Sequence, residues 1–298
     1  MAFETGVATS ISDLWTKLRT FAINGLGWTL LGNTGTAPIS TYLQSSSGKK
    51  FGFGYYDTTS LANTIHTCTV TGYTSGLAMS AQPGTSYAGS RSTRTGAITF
   101  PLTAYWFFGG PDYLHFVVED VPGEFWHGGV GVLDKTHAFT DGDYSTGTTW
   151  DMSSNLGSVV STMHNLPFSP SCQSAATIGT LRVNGTITSM SSNHATNSTG
   201  SLPFAVTSPY YPPYLYNDFV GRTLLFPIYV YSHLLKCLIG VPFNMATCGL
   251  KYFGGKGVVV LGADTWYLFP FRKYRDADNP STAVLNSGPY GFAYRRVN

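Results

Sequence analysis

His115, Glu119, Glu124 and His127 lie close together in the chain and are of the types that hold metal ions or move protons. Imidazoles and carboxylates bind zinc, and two carboxyl groups across a bond can hydrolyse it by acid–base chemistry. Whether these four can meet depends on the hairpin that carries them. Tyr113-Leu114-His115-Phe116-Val117-Val118-Glu119 reads as a strand, Val121-Pro122-Gly123-Glu124 as a turn, and Phe125 to Leu133 as the return strand. Pairing Asp120 with Phe125 places Val118 opposite His127 and Phe116 opposite Gly129. In that register His127 shares a face with Phe116 and Val118, while His115 points to the other. Two ligands on opposite faces cannot reach one ion. Glu119 and Glu124 would flank the turn at its solvent end, where neither is desolvated.

The other polar groupings are equally poor in chemistry. Asp134, His137, Asp141 and Asp143 follow the hairpin, and Asp141-Gly142-Asp143 has a superficial likeness to a calcium loop. It lacks the spacing and closing Glu of an EF-hand, so a solvated turn is expected. Gly157-Ser158 runs into Val159-Val160 without the second glycine of a nucleophile elbow. Gly254-Gly255-Lys256-Gly257 lacks the spacing of a phosphate loop, and Gly128-Gly129-Val130-Gly131 lies inside a strand rather than before a helix. Cys68, Cys172, Cys237 and Cys248 form no CxxC pair and are expected to be buried free thiols. These readings predict no enzyme, no metal and no cofactor.

The elements that must position these residues are mostly strands. Ser10, Ser12 and Asp13 can cap or charge the start of a helix whose stripe is Leu14, Leu18, Phe21 and Ala22, with Asn24-Gly25 at its end. Trp28 to Leu31, Tyr105 to Phe108, Gly257 to Gly262, Thr265 to Pro270 and Tyr290 to Tyr294 read as strands, the run from Gly257 as a buried one. The prediction is a mainly β fold of antiparallel sheets with one short N-terminal helix. Residues 1–140 form the helix and β core, 141–218 a low-charge excursion, and 219–298 a β segment that completes the core. Within the excursion, Arg182 is the one charge between Asp151 and Asp218. Such a stretch is expected to pair as edge strands or to pack on a neighbouring subunit.

Only 11% of the 298 residues are charged, under half the roughly 25% of an ordinary soluble domain. The net charge of +2 is too small to predict nucleic acid as the main partner. No basic and apolar leader opens the chain, so synthesis and folding in a cytoplasm are expected. The apolar stretch from Leu224 to Val241 is broken by Pro227, His233, Lys236 and Gly240, which argues against membrane insertion. The segment Tyr210-Tyr211-Pro212-Pro213-Tyr214-Leu215-Tyr216 is too rich in proline for a helix and too aromatic for a solvated linker. Tyr210, Tyr211, Pro212, Pro213, Tyr214 and Tyr216 are therefore predicted to make an intersubunit contact.

Three stretches carry a resemblance. Phe3-Glu4-Thr5-Gly6-Val7-Ala8-Thr9 with Asp13-Leu14, Lys17-Leu18-Arg19 and Gly27-Trp28 resembles the opening of a family of tailed-bacteriophage virion proteins. Tyr105-Trp106-Phe107-Phe108 and the strand after it resemble that family's central motif. Trp266-Tyr267-Leu268-Phe269-Pro270 and Gly291-Phe292-Ala293-Tyr294-Arg295 resemble its ending. The resemblance implies a virion structural protein of tail, baseplate or neck, whose partners are copies of itself and other virion proteins. A receptor- or glycan-binding module at the tail tip, meeting a host-surface glycan, and a capsid decoration protein are the alternatives.

Overall fold

The computed structural model describes residues 2–35, 39–56, 63–86, 93–94, 98–136, 138–147, 177–191, 204–207, 225–232, 237–250, 253–271, 273–274 and 290–296. The order is β1 (Ala2–Gly6), α1 (Ile11–Thr20), β2 (Thr29–Thr34), β3 (Ile39–Gln44), β4 (Lys50–Tyr56), β5 (Thr64–Val70) and β6 (Thr93–Arg94). Then come β7 (Ala104–Gly110), β8 (Tyr113–Val121), β9 (Glu124–Lys135), β10 (Asp141–Gly147), β11 (Thr177–Val183), β12 (Thr186–Ser191) and β13 (Phe204–Thr207). The last are β14 (Leu225–Pro227), β15 (Tyr229–Ser232), β16 (Cys237–Pro242), β17 (Met245–Gly249), β18 (Gly257–Leu261), β19 (Asp264–Pro270) and β20 (Tyr290–Arg296). The fold is mainly β with one short helix near the start, as the residue pattern predicts.

The helix forms for the reasons its sequence carries. The Ser10 hydroxyl accepts from the Asp13 N–H at 3.1 Å, and Lys17 pairs with Asp13 one turn on. Leu14, Leu18, Phe21 and Ala22 are all buried. The last turn, Phe21–Gly25, is π-helical and ends at Gly25 as expected, but the left-handed residue is Gly27, with φ of 70°. Trp28 is then fixed beneath the sheet by its indole N–H, which donates to the Pro111 carbonyl at 3.0 Å.

Three sheets stack as layers. A ten-stranded sheet runs β1-β7-β8-β9-β10-β11-β12-β13-β15-β16, antiparallel except at β12–β13. Strand β9 outruns β8 and also pairs with β16 through Leu133 to Lys135, so the strands from β9 round to β16 close into a ring. A second sheet, β2-β3-β4-β5-β6, lies with α1 on one face, and a third, β14-β17-β20-β19-β18, on the other.

This layering explains why the central strands are apolar without alternation. Tyr105, Phe107, Leu114, Phe116, Val118, Trp126 and Val130 face the core with α1, Phe51 and Phe53. Their neighbours Trp106, Phe108, Val117, Phe125 and Leu133 face the core with Phe269, Phe292 and Tyr294. A strand buried on both faces reads as a near-continuous apolar run, interrupted here only by polar side chains that find buried partners, such as His115, Glu119 and His127. The chain ends meet there too, with the Phe3 ring stacked on Tyr267 at 4.8 Å.

Glycines admit this crowding. Gly128 lies opposite Phe116, whose ring occupies the space a Cβ would need. Gly128→Ala should therefore destabilise the fold by about 1–3 kcal/mol, the usual cost of overpacking a core. Urea midpoints of the two proteins measure it, and an unchanged midpoint would mean that the ring can move aside.

Strand β18 departs from expectation. Its composition predicts burial, yet Val258, Val260 and Leu261 are 51%, 66% and 47% exposed. Among the described residues it is the last strand of its sheet, and a short apolar run does not reveal which strand lies at an edge. No helix among the described residues is long and apolar enough to cross a membrane.

Candidate functional site

The hairpin that carries both histidines is built in a different register from the expected one. Pro122-Gly123 turns the chain, with Gly123 at φ of 81°, and Val121 pairs with Glu124. Asp120 is left over as a bulge, so Glu119 faces Phe125, Val117 faces His127 and Phe116 faces Gly128. The Asp120 carboxylate holds the bulge by accepting from the Val121 N–H at 2.9 Å and the Trp126 indole N–H at 2.9 Å. One residue of slip moves every following side chain to the other face. His115 and His127 consequently share a face, contrary to the expectation from sequence.

That face holds a buried cluster of His115, His127, Tyr144 and Tyr294. The His127 ring lies parallel to Tyr294, with centroids 5.9 Å apart, and the His115 ring meets Tyr294 edge-on at 5.8 Å. His127 Nε2 donates to the Pro270 carbonyl at 2.9 Å, since a carbonyl can only accept. Nδ1 lies 3.0 Å from the Tyr294 hydroxyl. His115 Nε2 lies 2.6 Å from the Tyr144 hydroxyl. Burial pushes His115 down to about 3, and it pushes Tyr144 and Tyr294 well above the ordinary phenol range. His115, Tyr144 and Tyr294 therefore stay neutral near pH 7; the His115–Tyr144 bond lies within the ten-stranded sheet, and the His127–Tyr294 bond links that sheet to the third. Among the described residues no group of three His, Cys, Asp or Glu could hold a metal ion.

Glu119 is also placed differently from expectation. Its side chain is 4% exposed, and its oxygens accept from the Gly123 N–H at 2.8 Å and from Lys256 Nζ at 2.7 Å. Lys256 lies over the Trp106 ring at 5.1 Å. Glu124 pairs with Lys273 at 3.1 Å. The two ion pairs border a shallow cleft of about 340 Å³, lined by Glu119, Phe125, Gly254, Lys256, Lys273 and Tyr274. The two glutamates thus tie the hairpin to the third sheet, and the glycine-rich turn that resembled a phosphate loop delivers Lys256 to Glu119.

The Asp141-Gly142-Asp143 stretch is not a solvated turn. Asp141 and Gly142 take positive φ, which turns both carboxylates toward Lys49, at 2.9 Å from Asp141 and 3.6 Å from Asp143. Asp143 is buried, and Arg182 Nε lies 3.3 Å from it. Arg182 Nη2 donates to the Gly84 carbonyl at 2.5 Å and to Thr69 Oγ1 at 3.3 Å, which joins β11 to the second sheet. Burial holds Asp143 above the ordinary carboxylate range despite Arg182 and Lys49. Burial would also raise Asp141, but bonds from Lys49 and the Gly185 N–H outweigh it and hold Asp141 below that range. Asp134 is exposed, and His137 lies outside the described residues.

Sequence reasoning treated the aspartates apart from Lys49 and Arg182. Arg182 did carry a signal, because a lone charge in a long uncharged stretch needs a partner. Cys68, Cys237 and Cys248 are free thiols, and burial pushes Cys68 up to about 12. Cys172 and the arm from Tyr210 to Tyr216, including Tyr211, Pro212, Pro213 and Tyr214, lie outside the described residues. No known family and no curated protein matches this chain.

Proposed function

We propose that this chain is a structural component of a tailed-bacteriophage virion, part of its tail, baseplate or neck. It is made in the host cytoplasm and acts through interfaces with copies of itself and with other virion proteins. It has no catalytic role, needs no cofactor, does not insert into a membrane and does not take nucleic acid as its main partner. One observation supports this reading beyond the resemblance of its motifs. The titratable residues that could do chemistry are taken up by contacts within and between layers: His115 with Tyr144 and Asp143 with Arg182 inside the ten-stranded sheet, His127 with Tyr294 and Glu119 and Glu124 with lysines across to the third sheet. Such a molecule is built for cohesion, and a surface poor in charge suits burial against repeated neighbours.

The arm from Tyr210 to Tyr216 is the contact that composition singles out. Alanine at both Tyr211 and Tyr214 should lower the native mass seen by light scattering. An unchanged mass would remove the arm from the interface.

A further inference from the structure

The third sheet has two unlike edges among the described residues. Strand β14 is three residues long and ends in Pro227, a device that blunts an edge against pairing. Strand β18 has no such device. Its ladder to β19 runs unbroken from Gly257↔Leu268 to Leu261↔Asp264 without a bulge. No charged residue or proline occurs from Gly257 to Ala263. In an antiparallel ladder alternate N–H and C=O groups point away from the neighbour, so those on the free side of β18 are a template for another strand. Val258 and Val260 are more than half exposed beside that edge.

We infer that β18 pairs antiparallel with β18 of a second copy of this chain, about a two-fold axis at Val259. The inference rests on the assembly reading above. A two-fold contact must be self-complementary, and Gly-Val-Val-Val-Leu meets that condition by setting Val258 against Val260 of the other copy. The flanking charges point the same way. Lys256 precedes the strand and Asp264 follows it, so antiparallel pairing brings opposite signs near each other, whereas parallel pairing would set like beside like. Each charge is already partnered in its own chain, Lys256 by Glu119 and Asp264 by Arg295, so pairing strands no lone ion. A five-residue strand reaches about 17 Å. One such ladder buries far less than the roughly 800 Å² per partner of a stable dimer, so the contact is reversible unless other surfaces add to it.

Hydrogen exchange of the native chain at rising protein concentration tests the pairing without a mutation. Amides within residues 257–261 should slow by about tenfold when nine-tenths of the chain is associated, because only the free fraction exchanges. Val258→Lys with Val260→Lys, both at exposed positions, should shift sedimentation toward the monomer and leave thermal unfolding unchanged. A native chain that associates with no change at 257–261, and a double variant that associates equally, would overturn the edge pairing and leave assembly through other surfaces standing. A chain that stays monomeric at every concentration would overturn both.

Discussion

Replacing Arg182 with methionine should destabilise the protein by about 3 to 5 kcal/mol, the cost of leaving a buried charge without its partner. Methionine keeps most of the length and removes the guanidinium from Asp143, Thr69 and Gly84. Asp143 is then left with Lys49 at 3.6 Å, and the Gly84 carbonyl loses its donor. Removing both partners should be far milder, because a buried ion pair replaced by apolar groups of similar volume is often neutral. Asp143→Leu added to Arg182→Met should therefore recover most of the loss. Urea unfolding measures both, provided the slope is unchanged. A single substitution within about 1 kcal/mol of the native protein would mean that water reaches Asp143.

Stability should fall as pH drops below about 6.5, and His115 should be a principal cause. The sign follows from burial. The folded protein keeps His115 neutral down to about 3, whereas the unfolded chain takes up the proton near the ordinary value of 6.5. Protons therefore favour the unfolded state throughout that window, at about 1.4 kcal/mol per pH unit. Between pH 6.5 and 5 the loss from this residue approaches about 2 kcal/mol. Asp143 works against it, since its raised folded value makes its own contribution larger as pH falls through the carboxylate range. The clean reading is thus a difference between native and His115→Gln proteins, each measured at pH 7 and pH 5. The variant should lose less stability on acidification, and equal losses would place the proton uptake elsewhere.

Local chemistry and side-chain pattern carried much of this fold. Ser10 and the stripe from Leu14 to Ala22 mark the helix, and Tyr105 to Phe108 mark a strand buried on both faces. Register was not legible, because a single leftover residue at Asp120 decided whether His115 and His127 share a face. Nothing in the run Val121 to Glu124 distinguishes a bulged closure from a regular one. Edge position was hidden for a related reason: Val258-Val259-Val260 has the composition of a central strand, and only the sheet order exposes it. Burial of Glu119 depended on Lys256, far away in sequence, arriving from the glycine-rich turn. The ion cluster was half legible, since the isolation of Arg182 announces a need but does not name Asp143.

The proposed role requires that copies of this chain associate. Light scattering of the purified protein over a range of concentrations measures that directly. A discrete oligomer, or a mass that climbs reversibly toward one, is the predicted result. A mass that stays at 32.2 kDa at every concentration would contradict self-assembly and bring the glycan-binding reading to the front.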